Sequence, residues 1–424
     1  MRGIWAPAGQ IARASINTAQ QRAKTMTGLQ WDRGPLNART AWTGLDPAPL
    51  FFACAGRHHP HIPPRARMPM RFCLPAALLA LACPGGVAAA AAAGSLYFQH
   101  HDWVVACDNT LTCRAAGYAA DEDSTLSVLL TRRGGPGQAI EARLSLQPDE
   151  GQAQPEGALR LHIRQRDLGA LAPVKGEGTH SLNAAQTSAL LSALVRDGGI
   201  SVTDAAGHRW PLSDSGAAAV LLKIDEYQGR LGTPGAMMRT GSRPESSVPA
   251  ALPVPLVYRA ATVDSPPDDA AFARLAAAPA LRAALRATLK DNSCEGLLEA
   301  DADAPLSNSP LQIRRLDAQH VLVNVPCWRA AYNTGDGYWV ARPQAPFHPQ
   351  WVTSDAIDYA DGQIIAAQKG RGLGDCISQN TWTWNGTAFV ATSEIAAGLC
   401  RGVPGGTWNL PTRVTELEKG DGGN

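Results

Sequence analysis

Six cysteines that follow a short apolar segment constrain the fold of this chain more than any other feature. An even set of cysteines downstream of an export signal indicates three disulfides formed in an oxidising compartment. We therefore expect a periplasmic or secreted protein whose domains are cross-linked by disulfides. With all six cysteines paired, none of them is expected to act as a nucleophile. The six residues are Cys107, Cys113, Cys294, Cys327, Cys376 and Cys400.

The segment 68–93 has the composition of a signal peptide. Arg71 precedes the apolar stretch 72–82, and the alanine run 88–93 offers cleavage sites. The apolar stretch is shorter than the roughly 20 residues that span a bilayer, so we expect no transmembrane segment in the mature chain. A lipoprotein signal ending at Cys83 is the less favoured alternative, because the residues before Cys83 lack the usual leucine position.

Residues 1–67 lie upstream of this signal and contain nine basic residues against two acidic ones. The composition is typical of a targeting peptide or a nucleic-acid-binding arm. We favour the simpler interpretation that 1–67 is a non-native extension produced by an early start codon, since a signal peptide beginning near residue 70 would be hard to use.

The charge of the chain changes if residues 1–93 are removed. That segment holds ten of the 38 basic and two of the 37 acidic residues, which leaves 28 basic and 35 acidic residues. An acidic chain argues against nucleic acid and anionic membrane surfaces as partners, because both require a basic face. A length of about 330 residues favours two domains over one.

A proline-rich segment marks the predicted domain boundary. Residues 241–267 contain six prolines, which disfavour helices and central strands and indicate an extended linker. We predict an N-terminal β-rich domain over 94–240 and a C-terminal domain over 268–424. Two of the six cysteines precede the linker and four follow it.

In the N-terminal domain, the residues around Asp108-Asn109-Thr110 predict a β-hairpin closed by a Cys107–Cys113 disulfide. Further strands over 124–133, 138–147 and 158–165 are predicted to continue it as a meander. Two helices follow, one capped by Asn183 and one by Ser215.

The C-terminal domain is predicted to begin with a helix that Pro279 kinks or divides, followed by an antiparallel β meander. Asn385-Gly386 is typical of a hairpin turn. The expected disulfides are Cys294–Cys327 and Cys376–Cys400, although four cysteines allow three pairings. The fold class is therefore α+β, mostly β.

Two groups of residues are candidates for binding. Trp382, Trp384 and Phe389 surround the predicted turn, and exposed rings there would stack on a glycan; the alternative is that they fill the core of the sheet. Asp225 and Arg230 are candidates for a polar ligand clamp; the alternative is that Arg230 binds carbonyls at the end of its helix.

The common catalytic motifs are missing from the sequence. It contains no nucleophile elbow, no zinc-protease helix motif, no Walker loop and no dinucleotide-binding fingerprint. No cluster has metal-ligand spacing, so we expect neither a metal nor another cofactor. Asp225 with Glu226, or Asp336 with Asp375, remain candidates for a general acid and base.

Three stretches resemble a known bacterial family of exported proteins, the domain-of-unknown-function family numbered 1176, across residues 95 to about 415. They are HDWVVACDNTLTCRAAGY, IDEYQGRLGTPGAMMR and DCISQNTWTWNGTAFVATSE followed by a last cysteine. The resemblance implies an exported protein with six cysteines. The family has no known activity, so the resemblance implies no catalytic residues. The N-terminal half is also similar to the invasion-associated locus B family in its W-x-V-x-C strand and late helix.

These observations favour a non-enzymatic envelope protein that binds an unknown protein or glycan partner. A hydrolase acting on an envelope polymer and a purely structural envelope component are the alternatives.

Overall fold

The N-terminal half of the chain, residues 94–240, folds into two antiparallel sheets and two helices. The computed structural model describes residues 94–420 apart from 122, 149, 150, 197, 292 and 302. The strands are β1 (Leu96–His100), β2 (Trp103–Cys107), β3 (Cys113–Tyr118), β4 (Ser127–Arg132), β5 (Ile140–Ser145), β6 (Arg160–Ile163), β7 (Arg166–Ala170), β8 (Ala172–Val174), β9 (Thr179–Ser181), β10 (Ile200–Thr203) and β11 (Arg209–Pro211).

The larger sheet has the order β1-β2-β3-β4-β5-β9-β8, and the smaller has the order β11-β10-β6-β7. The predicted hairpin is β2–β3, with Cys107 opposite Cys113. The prediction that the strand at 158–165 continues the meander is wrong. Strand β9 occupies that edge of β5, and β6 pairs with β10 and β7 instead. Alternation gives each strand an apolar face, but it does not specify the neighbouring strand.

The first helix, Ala184–Leu194, begins as predicted. The Asn183 side chain accepts a hydrogen bond from Gln186 N, and the Gln186 side chain returns one to Asn183 N, which forms a capping box. Leu190 and Leu194 are buried in the core between the two sheets. The start of this helix therefore follows from the local sequence, whereas its end at Leu194 comes before Gly198, the residue expected to follow it.

The second helix is Ala217–Tyr227, and its predicted cap, Ser215, is wrong. The N-cap is Gly216 at φ +94°, and no side chain caps the first turn. A Cβ at residue 216 would lie 1.9 Å from the carbonyl oxygen of His100. Close approach of the chain at His100 therefore requires glycine here. Val220, Leu221 and Ile224 pack into the same core as the first helix.

The C-terminal half, described over residues 268–420, contains two more antiparallel sheets, with strand orders β13-β14-β15-β16 and β17-β18-β19-β20-β21, and its strand β22 pairs in parallel with β12 of the proline-rich segment. The strands are β12 (Leu256–Arg259), β13 (Gln312–Arg315), β14 (Val321–Arg329), β15 (Thr334–Ala341), β16 (Gln350–Ala356), β17 (Asp358–Ala360), β18 (Gln363–Lys369), β19 (Ile377–Trp384), β20 (Phe389–Ala396), β21 (Leu410–Arg413) and β22 (Glu416–Lys419).

The predicted helix of this half is divided at Pro279. A 3-10 turn at Ala270–Phe272 leads into Ala273–Ala276, and a second helix covers Pro279–Arg286 with the proline in its first turn. Proline lacks the N–H group that a continuous helix would need, whereas the first turn does not require it. Two further 3-10 turns lie at Glu245–Ser247 and Glu295–Leu297.

The proline-rich segment is extended but well bound to both halves. Leu252 N donates to Thr110 O at 3.3 Å, and Ala260 N donates to Trp384 O at 3.0 Å. Farther along the chain, Val263 N donates to Leu316 O at 2.9 Å. The division into domains at 241–267 stays a prediction, and the segment that was expected to link them is part of the packed structure.

The C-terminal chain also covers one face of the larger N-terminal sheet. Val104, Ala106, Ala116 and Tyr118 form a buried cluster with Leu410 of β21, against which Leu399 and Trp408 pack. Polar contacts add to it. The Asn109 amide accepts from Val414 N at 2.7 Å and donates to Val414 O at 3.1 Å. This apolar face of the N-terminal sheet is therefore buried by the other half of the chain.

Candidate functional site

An open cleft of about 620 Å³ lies in the C-terminal half, between the divided helix, strand β13 and the loop after β15. Its lining combines small and apolar side chains with two arginines and one amide. The lining residues are Ala271, Phe272, Arg274, Leu275, Ala278, Arg315, Ala318, Pro343 and Gln344.

Local sequence positions the helical wall of the cleft. The Asp269 side chain accepts a hydrogen bond from Ala271 N at 2.9 Å and begins the 3-10 turn. Asp269 N donates to Ile313 O at 3.1 Å, so the turn lies directly beside β13. Phe272 then enters the apolar core at 6% exposure. The floor of the cleft is therefore the edge of the C-terminal core.

Strand β13 supplies the opposite wall. Ile313 is buried, and Arg315 lies two residues farther along on the same face. Its guanidinium carbon is 4.9 Å from the centroid of the Phe272 ring, which is a cation–π contact. The main-chain N–H of Arg315 donates to Ser265 Oγ at 3.0 Å and fixes the strand beside the loop.

The two arginines of the cleft have no salt bridge or side-chain hydrogen bond with any residue that the structure describes. Asp269 is the nearby acid. Its pKa is lowered by the hydrogen bonds from Ala271 N and Ser265 Oγ, with a smaller contribution from the charge of Arg315. Since neither guanidinium has a protein acceptor among the described residues, the N–H groups of Arg274 and Arg315 are available to a ligand.

The lining suits binding better than catalysis. Arginine remains protonated at physiological pH and cannot serve as a general base. None of the nine lining residues is a histidine, cysteine, serine or carboxylic acid. The cleft therefore offers positive charge and apolar contact surface, and its lining contains no group suited to proton transfer or nucleophilic attack.

Sequence reasoning missed this site. Arg274 lies in an alanine-rich helix, and Arg315 lies in an unremarkable strand. One signal was present: alternation in LQIRRLD places Arg315 on the same face as Leu311 and Ile313, which are core residues. An arginine on the core face of a strand indicates either a buried ion pair or the mouth of a cleft.

The predicted clamp residue Asp225 lies elsewhere, in a buried polar network of the N-terminal half. Its side chain and that of Arg230 are fully buried. Asp225 Oδ2 accepts hydrogen bonds from Met237 N and Met238 N, both at 2.8 Å, and Oδ1 lies 3.6 Å from Arg132 Nη1. Burial raises the pKa of Asp225, although the two N–H groups and Arg132 oppose this effect.

Arg230 completes the network with four hydrogen bonds to protein acceptors. Its Nε donates to Gln228 Oε1 at 2.8 Å, and Nη1 donates to Glu245 Oε1 at 3.1 Å. Its Nη2 donates to the carbonyls of Gly135 at 2.6 Å and Arg133 at 3.2 Å. A ligand would have to replace these bonds, so binding by Asp225 and Arg230 stays a prediction without an accessible site.

The predicted aromatic group lies between the two C-terminal sheets. Trp384 is fully buried, and its ring centroid is 5.4 Å from that of Phe389, which is 9% exposed. Trp382 packs against the same cluster and is half-buried. The two tryptophans share a face, as their spacing predicts, and that face is directed to the core. Stacking of a glycan on Trp384 would therefore require the sheets to separate.

The carboxylates considered for acid–base chemistry are dispersed among structural roles. Glu226 pairs with Lys223 at 2.8 Å, and Asp375 accepts from Arg371 Nε at 2.8 Å and Gly402 N at 2.7 Å. Burial raises the pKa of Asp336, which Asn324 partly opposes. None of the three lines the cleft.

The six cysteines form three disulfides, and their pairs are those predicted: Cys107–Cys113, Cys294–Cys327 and Cys376–Cys400. Asp375 lies beside the last pair, but both sulfurs are bonded to each other and the carboxylate is bound by Arg371. The three disulfides place the folded chain outside the reducing cytoplasm. Among the described residues, no helix has the length and apolarity needed to cross a membrane.

Comparison with known proteins agrees with the six-cysteine architecture. Residues 97–415 match a family described as "Protein of unknown function (DUF1176)". The chain belongs to the DUF1176 family. The match covers both sheets of each half as well as the segment between them. It confirms the family resemblance found in the sequence, while the likeness to the invasion-associated locus B family stays a prediction.

A relative of the DUF1176 chain is known in Escherichia coli strain K12. It is the uncharacterized protein YpfG, which is 26% identical over 326 residues, covering 70% of this chain and 87% of the relative. No solved structure matches the chain. The signal-peptide interpretation of 68–93, the alternative acylation of Cys83 and the early start at 1–67 concern residues outside the described part of the chain.

Proposed function

We propose that this protein is an exported, non-enzymatic binding module of the periplasm or the extracellular space, and that its partner occupies the cleft between Arg274 and Arg315. The observation that carries the proposal is the pairing of unoccupied guanidinium groups with an apolar floor in one open cleft. Ligand sites in proteins typically combine a mostly apolar lining with a few polar groups that fix orientation.

The distribution of charge supports this choice. The chain after residue 93 has 35 acidic and 28 basic residues. Arg282 and Arg286 bind main-chain carbonyls instead: Arg282 donates to Gly296 O at 2.5 Å, and Arg286 donates to Leu297 O. Two arginines in one cleft of an otherwise acidic chain create a local positive site that attracts an acidic group and repels basic ones.

Site-specific photo-crosslinking in the producing cell tests the proposal. A photoreactive residue replaces Ala318, which is exposed at the cleft, or Ala205, which is exposed in the N-terminal half and serves as the matched control. We expect a discrete adduct from position 318 and none from position 205. The adduct should disappear when Arg274→Ala and Arg315→Ala are added.

The crosslinker reacts with C–H bonds of proteins and glycans, so either class of partner is detected. Absence of an adduct at position 318, or the same adducts at 318 and 205, would count against a binding function for the cleft. An adduct that survives the double arginine substitution would mean that the partner contacts this surface without using the guanidinium groups.

A further inference from the structure

We infer that the ligand of this cleft is a peptide carboxylate next to an apolar group, bound by the N–H groups of Arg274 and Arg315 over the floor formed by Phe272 and Leu275. This inference rests on the proposed binding function and adds the chemical class of the partner. The carboxylate belongs either to the C-terminus of a chain or to an aspartate or glutamate side chain.

The contacts of Arg315 favour a planar anion. Its guanidinium carbon lies 4.9 Å from the centroid of the Phe272 ring, and its N–H groups have no acceptor among the described residues. A carboxylate matches two parallel N–H donors of one guanidinium in the same plane. Arg274 is exposed on the adjoining helix and supplies a second positive charge at the same cleft.

The lining favours a peptide over an acidic glycan. Six of the nine lining residues are alanine, leucine, phenylalanine or proline, and Gln344 is the one neutral polar side chain among them. A uronic acid polymer would bring many hydroxyl groups to this surface, and those that lie over the six apolar side chains would lose water without gaining a hydrogen bond. A carboxylate attached to an apolar side chain matches both parts of the lining.

The acid already beside the cleft does not compete for this role. Asp269 is engaged by Ala271 N at 2.9 Å and by Ser265 Oγ at 2.9 Å. These bonds hold its carboxylate at the start of the 3-10 turn, and Asp269 is not among the residues that line the cleft. A ligand carboxylate therefore adds to the charge balance of Arg274 and Arg315 without displacing a protein acceptor.

Titration of the intact exported chain, labelled with ¹⁵N, tests the inference through the Nε–Hε signals of arginine. Arg274→Lys and Arg315→Lys assign the two signals, and Arg166→Ala removes an exposed arginine of β7 as the control. The probes are acetyl-leucine, acetyl-leucinamide, acetylglutamate α-amide and galacturonate. This measurement detects millimolar binding, which is the range expected for such small ligands.

We expect both arginine signals to move with acetyl-leucine and with acetylglutamate α-amide. Acetyl-leucinamide should require at least a tenfold higher concentration for the same change, because it lacks the anion. Arg274→Ala should weaken the response of the Arg315 signal, and Arg315→Ala should weaken that of the Arg274 signal, whereas Arg166→Ala should leave both responses unchanged. The relative response to the two acids distinguishes a chain terminus from a side chain.

Three results would overturn the inference. They are equal binding of acetyl-leucine and its amide, no movement of either arginine signal with any carboxylate, and tighter binding of galacturonate than of both peptide acids. None of these results affects the crosslinking experiment at position 318. If an adduct forms there and any of the three results is also obtained, the binding function stands and the peptide carboxylate is rejected as the ligand.

Discussion

Two arginine-containing regions of this protein use the same side chain in opposite ways. In the N-terminal half, Arg230 is fully buried and donates four hydrogen bonds to protein acceptors. In the C-terminal half, Arg315 lies on Phe272 and has no acceptor for its side chain among the described residues. The partners of an arginine, rather than its sequence motif, therefore distinguish a structural role from a binding role.

The largest expected effect is at Arg230. Arg230→Ala removes the donor to Gln228 Oε1 and the positive charge beside Glu245, and it should lower the free energy of unfolding by about 3–5 kcal/mol, as breaking a buried charged network does. Arg315→Ala should cost at most about 1 kcal/mol, since it removes a single cation–π contact. Urea unfolding measures both. Equal losses of unfolding free energy for the two variants would contradict the assignment of a structural role to Arg230 alone.

Removal of the Cys376–Cys400 disulfide should come next in size. Cys376→Ser with Cys400→Ser opens a loop with a sequence separation of 24 residues, which corresponds to roughly 3.5 kcal/mol in the chain-entropy model. Cys107→Ser with Cys113→Ser, at a separation of 6, corresponds to roughly 2.4 kcal/mol. Thermal unfolding of both double variants gives the comparison, and a larger loss for the shorter loop would contradict the entropic account.

The smallest effect concerns the pH dependence of stability at Asp225. Burial raises its pKa in the folded chain, so its contribution to stability is full below the unfolded value of about 3.9 and is lost as the pH rises through the folded value. Asp225→Asn keeps an acceptor for Met237 N and Met238 N and removes this titration. The free energy of unfolding is measured for both proteins between pH 4 and 8. As the pH rises, the wild type should lose stability relative to the variant, and parallel curves would contradict this expectation.

The local features of the fold were predictable from sequence because they depend on neighbours along the chain. The capping box of Asn183 and Gln186, the hairpin of β2 and β3 and the division of the helix at Pro279 all follow from such contacts. The cap at Ser215 failed because contact with His100, more than a hundred residues earlier, requires glycine at position 216.

The candidate site was not predictable in the same way. Arg230 was a candidate because it lies in a motif-like stretch, yet its N–H groups donate to acceptors of residues 133, 135, 228 and 245. Trp384 was a candidate for glycan binding because it is an aromatic residue beside a turn, yet a second sheet covers it. Arg274 and Arg315 belong to separate stretches that only the packing of the divided helix against β13 brings to one cleft.

By itself, the sequence indicated an oxidising environment for six paired cysteines, a mostly β fold class and, through three motif-like stretches, a resemblance to the DUF1176 family. The first two follow from composition, short-range spacing and turn chemistry, whereas the structure decided which of the three possible C-terminal cysteine pairings forms. The tertiary structure alone decided which polar groups are satisfied and which remain open, because a hydrogen bond depends on atoms that the fold brings together from distant parts of the chain.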